Sequence, residues 1–470
     1  MALTSLLKKN TKIALQNVII IGAGEAGYLL YKSIQEEHGH IYKVVGFLDD
    51  DPTKLKNKIN GTKVIGRICD LERVISKYDI KEIFVALPSG SSSVISGILK
   101  RCEAICAPVR IIPSSYAKTN DHGVTLKSLK KVEVEDLLDR DTYSLDFDEQ
   151  RKIYQDKVVL ITGAAGSVGS QLCRDLVKIS PKKIVMLDNR ESELFDLYND
   201  LVSMHHRCPI ELVIADIRDR GRMFSVFDKV KPETTFHAAA YKHVPLMEIA
   251  PCESVKTNIR GTRLVLEAAS AAGCTNFILV STDKAIEPIN VMGASKRMAE
   301  QQALNFARDQ KIKCAVVRFG NVLGSSGSVL PLFEEQIRKG GPITITTEDV
   351  NRYFISIEEA SALLLSVPNL TKAGDKTFLL DMGEPVKILD LAHRILALRG
   401  LEPNVDIDIE FCGLRTGEKI SEKLTGRNEK LSKSANDRIF VVNKSKNHPN
   451  PLVINDQTID EIEKAAINNK

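Results

Sequence analysis

Short apolar runs alternate with helical patterns along most of the chain, and each run ends at small or polar residues. In the first half, an apolar run at residues 18–21 precedes a glycine-rich turn at 22–27, a helical pattern and a second run at 43–48 that ends at Asp49. This order of elements is typical of a dinucleotide-binding βαβ unit, whose helix amino terminus faces a phosphate. The same pattern also fits a Rossmann-like domain that binds another nucleotide or no ligand.

The second half repeats this order of elements with a different glycine spacing. An apolar run at residues 158–161 leads into a small-residue turn at 162–169, and later runs follow with helical patterns between them. Alternating strands and helices predict a parallel, doubly wound sheet with ligands at the carboxyl ends of its strands. The predicted fold class is therefore α/β, with two tandem Rossmann-like domains. The residues predicted to bind a nucleotide at these strand ends are Thr162, Gly163, Ala165, Gly166, Ser167, Val168, Gly169, Asp188, Arg190, Asp216, Ile217, Ala238, Ala239 and Ala240.

Domain boundaries follow from length and from one polar stretch. At 470 residues the chain is too long for a single ordinary core. We predict a first Rossmann-like domain over residues 1–125, a connector over 126–156, a second domain over 157–440 and a polar carboxyl-terminal tail over 441–470. The connector is marked by the closely spaced charged residues Glu133, Glu135, Asp136, Asp139, Arg140 and Asp141.

Composition narrows the class of protein. Hydrophobic residues make up 43% of the chain and charged residues 27%, as in soluble globular proteins. The net charge of the chain, +4, is small, and the basic residues are scattered among acidic ones. Both features argue against a nucleic-acid partner. No apolar run reaches the ~18 residues that a membrane span needs.

The nine cysteines form an odd, irregularly spaced set, which favours a reducing compartment and a cytoplasmic protein. Cys102 and Cys106 are four residues apart on a predicted helix, without a histidine nearby. Buried thiols are therefore expected there, and no metal site is predicted.

Two charged residues after the second strand of the second half bear on the choice of nucleotide. Asp188 is placed to accept hydrogen bonds from the adenosine ribose hydroxyls, and it would repel a 2′-phosphate. Arg190 lies two residues later and is suited to bind such a phosphate. We expect NAD as the cofactor, with NADP as the less favoured alternative.

The most informative chemistry lies between the predicted fifth strand of the second half and the next helix. A short-chain dehydrogenase/reductase carries a tyrosine four residues before a lysine, on one face of a helix. Here Lys296 is present, but the tyrosine position holds Met292, which cannot take up or give a proton. The preceding strand ends in Thr282-Asp283-Lys284, a hydroxyl followed by a carboxylate and an ammonium. An enzyme that uses a nicotinamide cofactor, but has methionine in place of the tyrosine and a neighbouring carboxylate and ammonium, is expected to catalyse a different reaction from the usual dehydrogenases of this fold.

These motifs resemble those of the extended short-chain dehydrogenase/reductases that act on nucleotide sugars. The chain is most similar to the UDP-N-acetylglucosamine 4,6-dehydratases of bacterial polysaccharide biosynthesis, in the long branch that carries methionine for tyrosine and retains configuration at C5. The resemblance implies that residues 157–440 form an NAD-dependent nucleotide-sugar dehydratase domain with a small carboxyl-terminal substrate-binding lobe. It covers roughly residues 17–440 and is carried by the glycine turn and the segments 240–248, 281–285, 292–296, 318–325 and 413–419.

Long members of this family begin with membrane-spanning helices, whereas this sequence begins with the Rossmann-like half. The resemblance therefore leaves open a cytoplasmic location and one at the inner face of the cell membrane. Enzymes of this fold commonly self-associate, so a homo-oligomer is expected.

The implied reaction is an internal redox cycle on UDP-N-acetylglucosamine. NAD takes a hydride from C4, the C5 proton is then removed as the C6 hydroxyl leaves as water, and the hydride returns to C6. Thr282 is expected to bind the C4 hydroxyl, and Lys296 to hold the nicotinamide ribose. Asp283 is expected to protonate the departing hydroxyl and Lys284 to remove the C5 proton, although the division of roles within this pair stays open.

The resemblance also implies a set of substrate contacts. Asn321 is expected to reach the diphosphate or the sugar, and Val329 and Pro331 to line the uracil site. Arg415 is a candidate phosphate ligand because its planar fork suits diphosphate oxygens, and Glu418 is a candidate ligand of the uridine ribose.

Three further residues are placed near the mouth of the site by the same resemblance. Lys242 and His243 follow the Ala238–Ala240 run, and His243 has an equal alternative as a structural loop histidine. Arg352 belongs to a segment that similar enzymes fold over the nucleotide.

Three other functions fit parts of the pattern. A 4-epimerase or a reductase on this fold would be expected to keep a tyrosine at position 292 and has no use for Asp283 and Lys284. A C5-inverting dehydratase also keeps the tyrosine. A non-catalytic sensor of UDP-sugars is the alternative in which Met292 marks lost activity.

Overall fold

The computed structural model describes residues 15–90, 92–103, 108–113, 116, 124–132, 143, 145–204, 206–309, 312–371, 376–444 and 454–468. Cys106 and the charged residues at 133–141 lie outside this set. The chain divides into two compact units, each built on its own sheet.

The first unit is a Rossmann-like sheet with strand order β3-β4-β2-β1-β5-β6-β7 within the described residues. The strands from β4 to β6 are parallel, and β3 and β7 run antiparallel at the two edges. Asp49, at the end of β2, accepts a hydrogen bond from the Ala23 amide in the glycine turn (2.7 Å). The elements are β1 (Gln16–Ile21), α1 (Glu25–Glu37), β2 (Tyr42–Leu48), β3 (Lys58–Ile59), β4 (Thr62–Gly66), α2 (Leu71–Tyr78), β5 (Glu82–Val85), α3 (Ser92–Glu103), β6 (Val109–Ile111) and β7 (Lys130–Lys131).

The second unit contains the larger sheet, with strand order β10-β9-β8-β11-β12-β13-β18-β22-β21 in the described part of the chain. The strands from β10 to β18 are parallel, and β22 and β21 extend the sheet antiparallel. The chain order reverses between β8 and β11, so the carboxyl ends of these two strands flank the crevice where such sheets bind ligands.

The elements of this half begin with a helix and the six strands that carry the site. In chain order they are α4 (Phe147–Tyr154), β8 (Val158–Thr162), α5 (Ser167–Ile179), β9 (Lys183–Asp188), α6 (Glu191–Ser203), β10 (Ile210–Ile214), α7 (Arg220–Val230), β11 (Thr234–His237), α8 (Val244–Ile249), α9 (Pro251–Ser254), α10 (Thr262–Ala271), β12 (Asn276–Val280), α11 (Val291–Asp309) and β13 (Lys313–Arg318).

The remaining elements follow β13 and include the last two strands of the large sheet. They are β14 (Asn321–Val322), α12 (Val329–Arg338), β15 (Ile343–Ile345), β16 (Asn351–Arg352), β17 (Phe354–Ile355), α13 (Ile357–Leu370), β18 (Lys376–Leu380), β19 (Val386–Lys387), α14 (Ile388–Leu398), β20 (Ile409–Phe411), β21 (Glu429–Lys433), β22 (Ile439–Lys444) and α15 (Asp456–Asn468).

The structure corrects the predicted tail at residues 441–470. β22 runs to Lys444, and α15 packs the buried Ile459 into a small apolar cluster with Val255 and Ile259. Arg260 forms ion pairs with Asp460 (2.7 Å) and Glu463 (2.7 Å). The polar residues that suggested a tail form the solvent-facing side of an amphipathic helix.

The predicted connector and domain limits also differ from the structure. Phe147–Tyr154 is a helix, capped by Asp146, and buried Tyr154 donates to the Leu365 carbonyl (2.8 Å). The segments Gln336–Ile343 and Asp390–Glu410, predicted within 157–440, group with the first unit. Such regrouping results from tertiary packing and leaves no local signal in the sequence. Within the described residues, no helix is long and apolar enough to cross a membrane.

Candidate active site

A cavity of about 550 Å³ lies at the carboxyl ends of the parallel strands of the second unit. The glycine turn, the ends of β9 and β10, the loop after β11, the turn after β12 and the start of α11 form its walls. This is where a doubly wound sheet is expected to bind a nucleotide. The residues predicted to bind the cofactor that line the cavity are Gly163, Gly166, Ser167, Val168, Gly169, Asp188, Arg190, Asp216, Ile217, Ala238, Ala239, Ala240 and Lys296.

The glycine turn is shaped for close approach of backbone to a ligand. Gly163 has φ +68°, and a Cβ there would lie 2.6 Å from the Ala239 amide nitrogen. A Cβ on Gly169 would collide with the Gly163 carbonyl oxygen. Side chains are therefore excluded at both positions, and α5 begins at Ser167 with its free amides toward the cavity.

The acid at the end of β9 fixes this turn. Asp188 is buried, and its Oδ2 accepts a hydrogen bond from the Ala165 amide (2.9 Å). Its Oδ1 accepts from the Arg190 amide (3.0 Å) and lies 3.5 Å from Arg190 Nε. Ala165 and Thr162 do not line the cavity themselves. They support it, because Ala165 ties the turn to Asp188 and Thr162 bonds to the histidine that ends β11.

That histidine, His237, is the centre of a buried hydrogen-bond chain beneath the cavity. Its Nδ1 lies 2.7 Å from Thr162 Oγ1, and its Nε2 lies 3.0 Å from Thr262 Oγ1. Because Thr262 donates its hydroxyl proton to the Asn258 carbonyl (2.7 Å), it accepts from Nε2–H, and Thr162 donates to Nδ1. Burial, reinforced by the positive charge of Lys296, lowers the His237 pKa to about 3. His237 is thus a neutral structural hub.

The loop after β11 is braced by Asn258, which lies in a π-helical segment, Val255–Gly261. Its Oδ1 accepts from the Tyr241 amide (2.8 Å), and its Nδ2 donates to the Tyr241 carbonyl (3.0 Å) and to Ser295 Oγ (2.9 Å). The same side chain therefore ties the cofactor loop to the helix that carries Met292 and Lys296. A π-helical insertion is a frequent feature of functional sites.

The Thr282-Asp283-Lys284 motif forms a compact polar cluster at the end of β12. Thr282 Oγ1 donates to Asp283 Oδ1 (2.9 Å), and Lys284 Nζ donates to the same oxygen (3.0 Å). Lys284 Nζ also donates to Asn321 Oδ1 (3.1 Å), which brings in the strand end after β13. Thr282, Lys284 and Asn321 line the cavity, together with Met292 and Lys296. The structure thus brings all five predicted catalytic residues into one site.

Asp283 differs from its neighbours because it lies behind the cavity wall. Its side chain has no exposed surface, and its Oδ2 lies beside Gly320. Within the described residues, this oxygen has no hydrogen-bond partner. A buried carboxylate oxygen without a partner is costly.

Met292 and Lys296 lie one turn apart on α11. Met292 is buried, with 3% of its surface exposed, and offers the cavity an apolar thioether. Lys296 Nζ donates to the Val280 carbonyl at the end of β12 (2.6 Å). Burial lowers the Lys296 pKa to about 8, although the Glu300 carboxylate acts in the opposite direction.

The depressed pKa of Lys296 predicts a pH-dependent stability. The folded state binds fewer protons than the unfolded state between about pH 8 and the ordinary value of 10.5, so the free energy of unfolding rises with pH across this window. The expected rise is about 3 kcal/mol and is absent below pH 8. Urea denaturation of wild type and Lys296→Met between pH 7 and 10.5 measures it. A constant difference between the two proteins would contradict a buried, titrating amine.

The predicted substrate contacts divide into two groups. Lys242, His243 and Asn321 line the cavity. Burial lowers the pKa of Lys242, and burial together with the Lys242 charge lowers that of His243. The residues predicted to bind substrate that do not line this cavity are Val329, Pro331, Arg352, Arg415 and Glu418.

Contacts among residues of the second group explain in part why these residues do not line the cavity. Arg352 Nη2 and Glu418 Oε1 form an ion pair (3.0 Å), and Glu418 Oε2 accepts from the Arg415 amide (3.3 Å). The predicted ligands are therefore bonded to one another. Arg415 and Pro331 are exposed.

Sequence reasoning missed several residues of the cavity. Arg218 forms a bidentate pair with Asp216 (Nη2 to Oδ2 2.6 Å, Nε to Oδ1 3.0 Å), and this contact holds the Asp216 pKa below its ordinary value. Arg218 follows Asp216 by two residues, as Arg190 follows Asp188. This repeated spacing could have identified Arg218 as a residue of the site. The other missed residues on the cavity wall include Asn189, Tyr241, Thr257, Ser281, Ser325, Ser326, Gly327 and Ser328.

The sheet order, the glycine turn, the acid at the end of β9 and the lysine on α11 define an extended short-chain dehydrogenase/reductase fold. The sterically reserved turn and the amides of α5 fit a nicotinamide dinucleotide, whose adenosine ribose would lie at Asp188 and whose nicotinamide ribose would lie at Lys296. Residues 159–444 match the model of the polysaccharide biosynthesis protein family, and the chain belongs to that family. Residues 2–113 match the model of a CoA-binding domain.

Curated relatives of the chain extend over both halves. It is 41% identical over 422 residues to the "Probable polysaccharide biosynthesis protein EpsC" of Bacillus subtilis, which covers 90% of this chain and 70% of that protein. It is 40% identical over 426 residues to the "Capsular polysaccharide biosynthesis protein CapD" of Staphylococcus aureus, with the same coverage. A Campylobacter jejuni "UDP-N-acetylglucosamine 4,6-dehydratase (inverting)" is 34% identical over 275 residues, 57% of this chain and 78% of that protein.

Solved structures agree on the fold. Pen from Bacillus thuringiensis is 29% identical, with a TM-score of 0.56 over 67% of this chain and 98% of that chain. DesIV, a dTDP-glucose 4,6-dehydratase from Streptomyces venezuelae solved with NAD, is 21% identical, with a TM-score of 0.51 over 57% of this chain and 88% of that chain. The predicted α/β fold class is confirmed.

Proposed function

We propose that the protein is a nicotinamide-dependent UDP-N-acetylglucosamine 4,6-dehydratase that forms a UDP-4-keto-6-deoxy sugar for bacterial glycan synthesis. The observation that carries the proposal is the Thr282-Asp283-Lys284 cluster on the wall of a cofactor cavity that lacks the usual tyrosine. A dehydratase needs an acid and a base beside the redox centre, whereas an epimerase does not. The 34% identity to an enzyme named as a UDP-N-acetylglucosamine 4,6-dehydratase, of the inverting kind, supports the same substrate.

The hydrogen bonds of the cluster offer a route for the first proton. A nicotinamide bound in the cavity supplies hydride removal at C4 and hydride return at C6. Thr282 donates its hydroxyl proton to Asp283, so its oxygen is free to accept the C4 hydroxyl proton. The proton passes through Thr282 to Asp283, which performs the task of the missing tyrosine.

The elimination then uses the same two ionisable groups. Lys284, as a neutral amine, accepts the C5 proton and becomes an ammonium. The proton that Asp283 received returns through the Thr282 hydroxyl to the C6 hydroxyl, which leaves as water. After hydride returns to C6, Lys284 reprotonates C5 and both groups regain their starting charges. Reprotonation by the residue that took the proton returns it to the same face, which supports retention at C5.

NAD is proposed over NADP because Asp188 carries its carboxylate where a 2′-phosphate would lie, and Arg190 is already engaged by Asp188 and Glu193. A homo-oligomer is proposed from the fold. For the amino-terminal unit, the CoA-binding model supports a nucleotide-type ligand at its glycine turn.

Mass spectrometry of the product made from UDP-N-acetylglucosamine in deuterated water, with no reductant added, tests the reaction. We expect a sugar nucleotide lighter by one water that carries one deuteron at C5, with the same C5 configuration as the substrate. Release of an unchanged or merely epimerised sugar would refute the dehydratase, and bound but unaltered substrate would favour a sensor.

A further inference from the structure

A buried carboxylate outside the predicted site reaches the catalytic lysine from a distant part of the chain. Glu422 lies in the segment between β20 and β21, and only 2% of its side chain is exposed. Its Oε1 is 3.7 Å from Lys284 Nζ, and its Oε2 is 3.4 Å from Lys419 Nζ. Lys419 is itself anchored, because it donates to the Ile286 carbonyl (3.0 Å).

Glu422 is poorly explained as a structural residue. An enclosed carboxylate is costly unless it is well hydrogen-bonded, yet Oε2 makes no hydrogen bond within the described residues. The charged groups around it are Lys284 and Lys419, with Asp283 on the other side of Lys284. Two carboxylates therefore flank one catalytic amine.

We propose that Glu422 is a positioning residue, the permanent counter-ion that stabilises the Lys284 ammonium formed when C5 is deprotonated. This inference rests on the proposed function. In that cycle Asp283 is neutral after it receives the C4 hydroxyl proton, so it no longer balances the charge on Lys284. Glu422 takes no part in the proton transfers of that cycle.

The geometry also fixes the direction of the amine. Lys284 Nζ donates hydrogen bonds to Asp283 Oδ1 (3.0 Å) and Asn321 Oδ1 (3.1 Å), and it forms an ion pair with Glu422 Oε1 (3.7 Å). These come from three separate segments of the chain. The segment that bears Glu422 also bears Arg415 and Glu418. When this segment lies beside the sugar, it would supply the remaining charged groups that elimination needs.

The first test needs no substrate. Reductive methylation of Lys284, followed by peptide mass spectrometry across a pH series, reports the neutral fraction of its amine. Glu422→Gln, which keeps size but removes charge, is expected to react at least about ten-fold faster at a given pH, because the nearby anion favours the ammonium. Glu422→Asp should stay near wild type. Equal reactivity in all three proteins would overturn the proposal.

The second test separates the half-reactions. With UDP-N-acetylglucosamine, Glu422→Gln should still reduce bound NAD, seen as the absorbance of the reduced nicotinamide. Exchange of the C5 proton with deuterated water should fall at least about ten-fold. Glu422→Asp should recover part of the exchange. Equal losses in both steps for the Gln variant would indicate a merely structural role.

Glu287→Gln is the matched control. Glu287 pairs with Lys423 (2.7 Å), the residue after Glu422, keeps 30% of its side chain exposed and does not line the catalytic cavity. It should leave both half-reactions unchanged. If wild type does not convert this sugar at all, the proposed function fails, whereas the methylation result still decides whether Glu422 controls Lys284.

Discussion

Lys284→Met is expected to lower turnover of UDP-N-acetylglucosamine by about 10²–10⁴-fold, the usual contribution of a positioned acid–base group. Methionine keeps an unbranched apolar stem but cannot accept the C5 proton. It also leaves the enclosed Asp283 without the amine that lies 3.0 Å from its Oδ1. Steady-state product formation measures the loss, and calorimetric titration with NAD should show that cofactor binding is kept.

A solvent-exposed lysine outside the cavity provides the control. Lys423→Met removes a lysine whose side chain is 60% exposed and pairs only with Glu287 among the described residues, so turnover should change less than about two-fold. Reduced nicotinamide should accumulate in Lys284→Met, since oxidation at C4 uses Thr282 and Asp283. Turnover near wild type in Lys284→Met would remove Lys284 from the mechanism.

The sheet of the second unit was predictable because buried parallel strands leave continuous apolar runs. The apolar run predicted at residues 158–161 lies in β8, which leads into the glycine turn, and β9 ends at Asp188. Parallel strands carry their ligand groups at one edge, so the residues at those ends could be placed together without knowledge of the fold's details.

The last part of the chain was wrongly predicted for a physical reason. α15 has a weakly hydrophobic sequence, and its order depends on Ile459 packing against a helix two hundred residues earlier. The position of Glu422 beside the site could not be predicted from the sequence for the same reason. A lone glutamate in a charged segment normally reads as a solvated side chain, and only tertiary structure brings it 3.7 Å from Lys284.

The site also shows what a motif does and does not specify. Thr282, Asp283 and Lys284 are consecutive, so their proximity followed from the sequence, but the enclosure of Asp283 did not. Local sequence gave no indication that Arg352 and Glu418 pair with each other, because that contact joins residues 66 positions apart.

The largest effect on stability is expected from Arg318, the end residue of β13. Its guanidinium is fully buried and donates to both oxygens of Glu300 (2.7 and 2.7 Å) and to Glu429 (2.8 Å). Burial opposes these charges, but the two carboxylates outweigh it and raise the Arg318 pKa. Glu300 also accepts from Ser281 Oγ (2.7 Å), directly before Thr282, so the network supports the catalytic turn.

Arg318→Met should lower the free energy of unfolding by about 3–5 kcal/mol, because two enclosed carboxylates lose their counter-ion. Urea denaturation at neutral pH measures the change. Arg297→Met is the matched control: Arg297 contacts the same two carboxylates (3.0 and 3.5 Å) but keeps 25% of its side chain exposed, so it should cost about 1 kcal/mol or less. Adding Glu300→Gln to Arg318→Met should recover part of the loss, since one uncompensated charge is removed. Equal destabilisation by Arg297→Met and Arg318→Met would show that burial does not set the strength of this network.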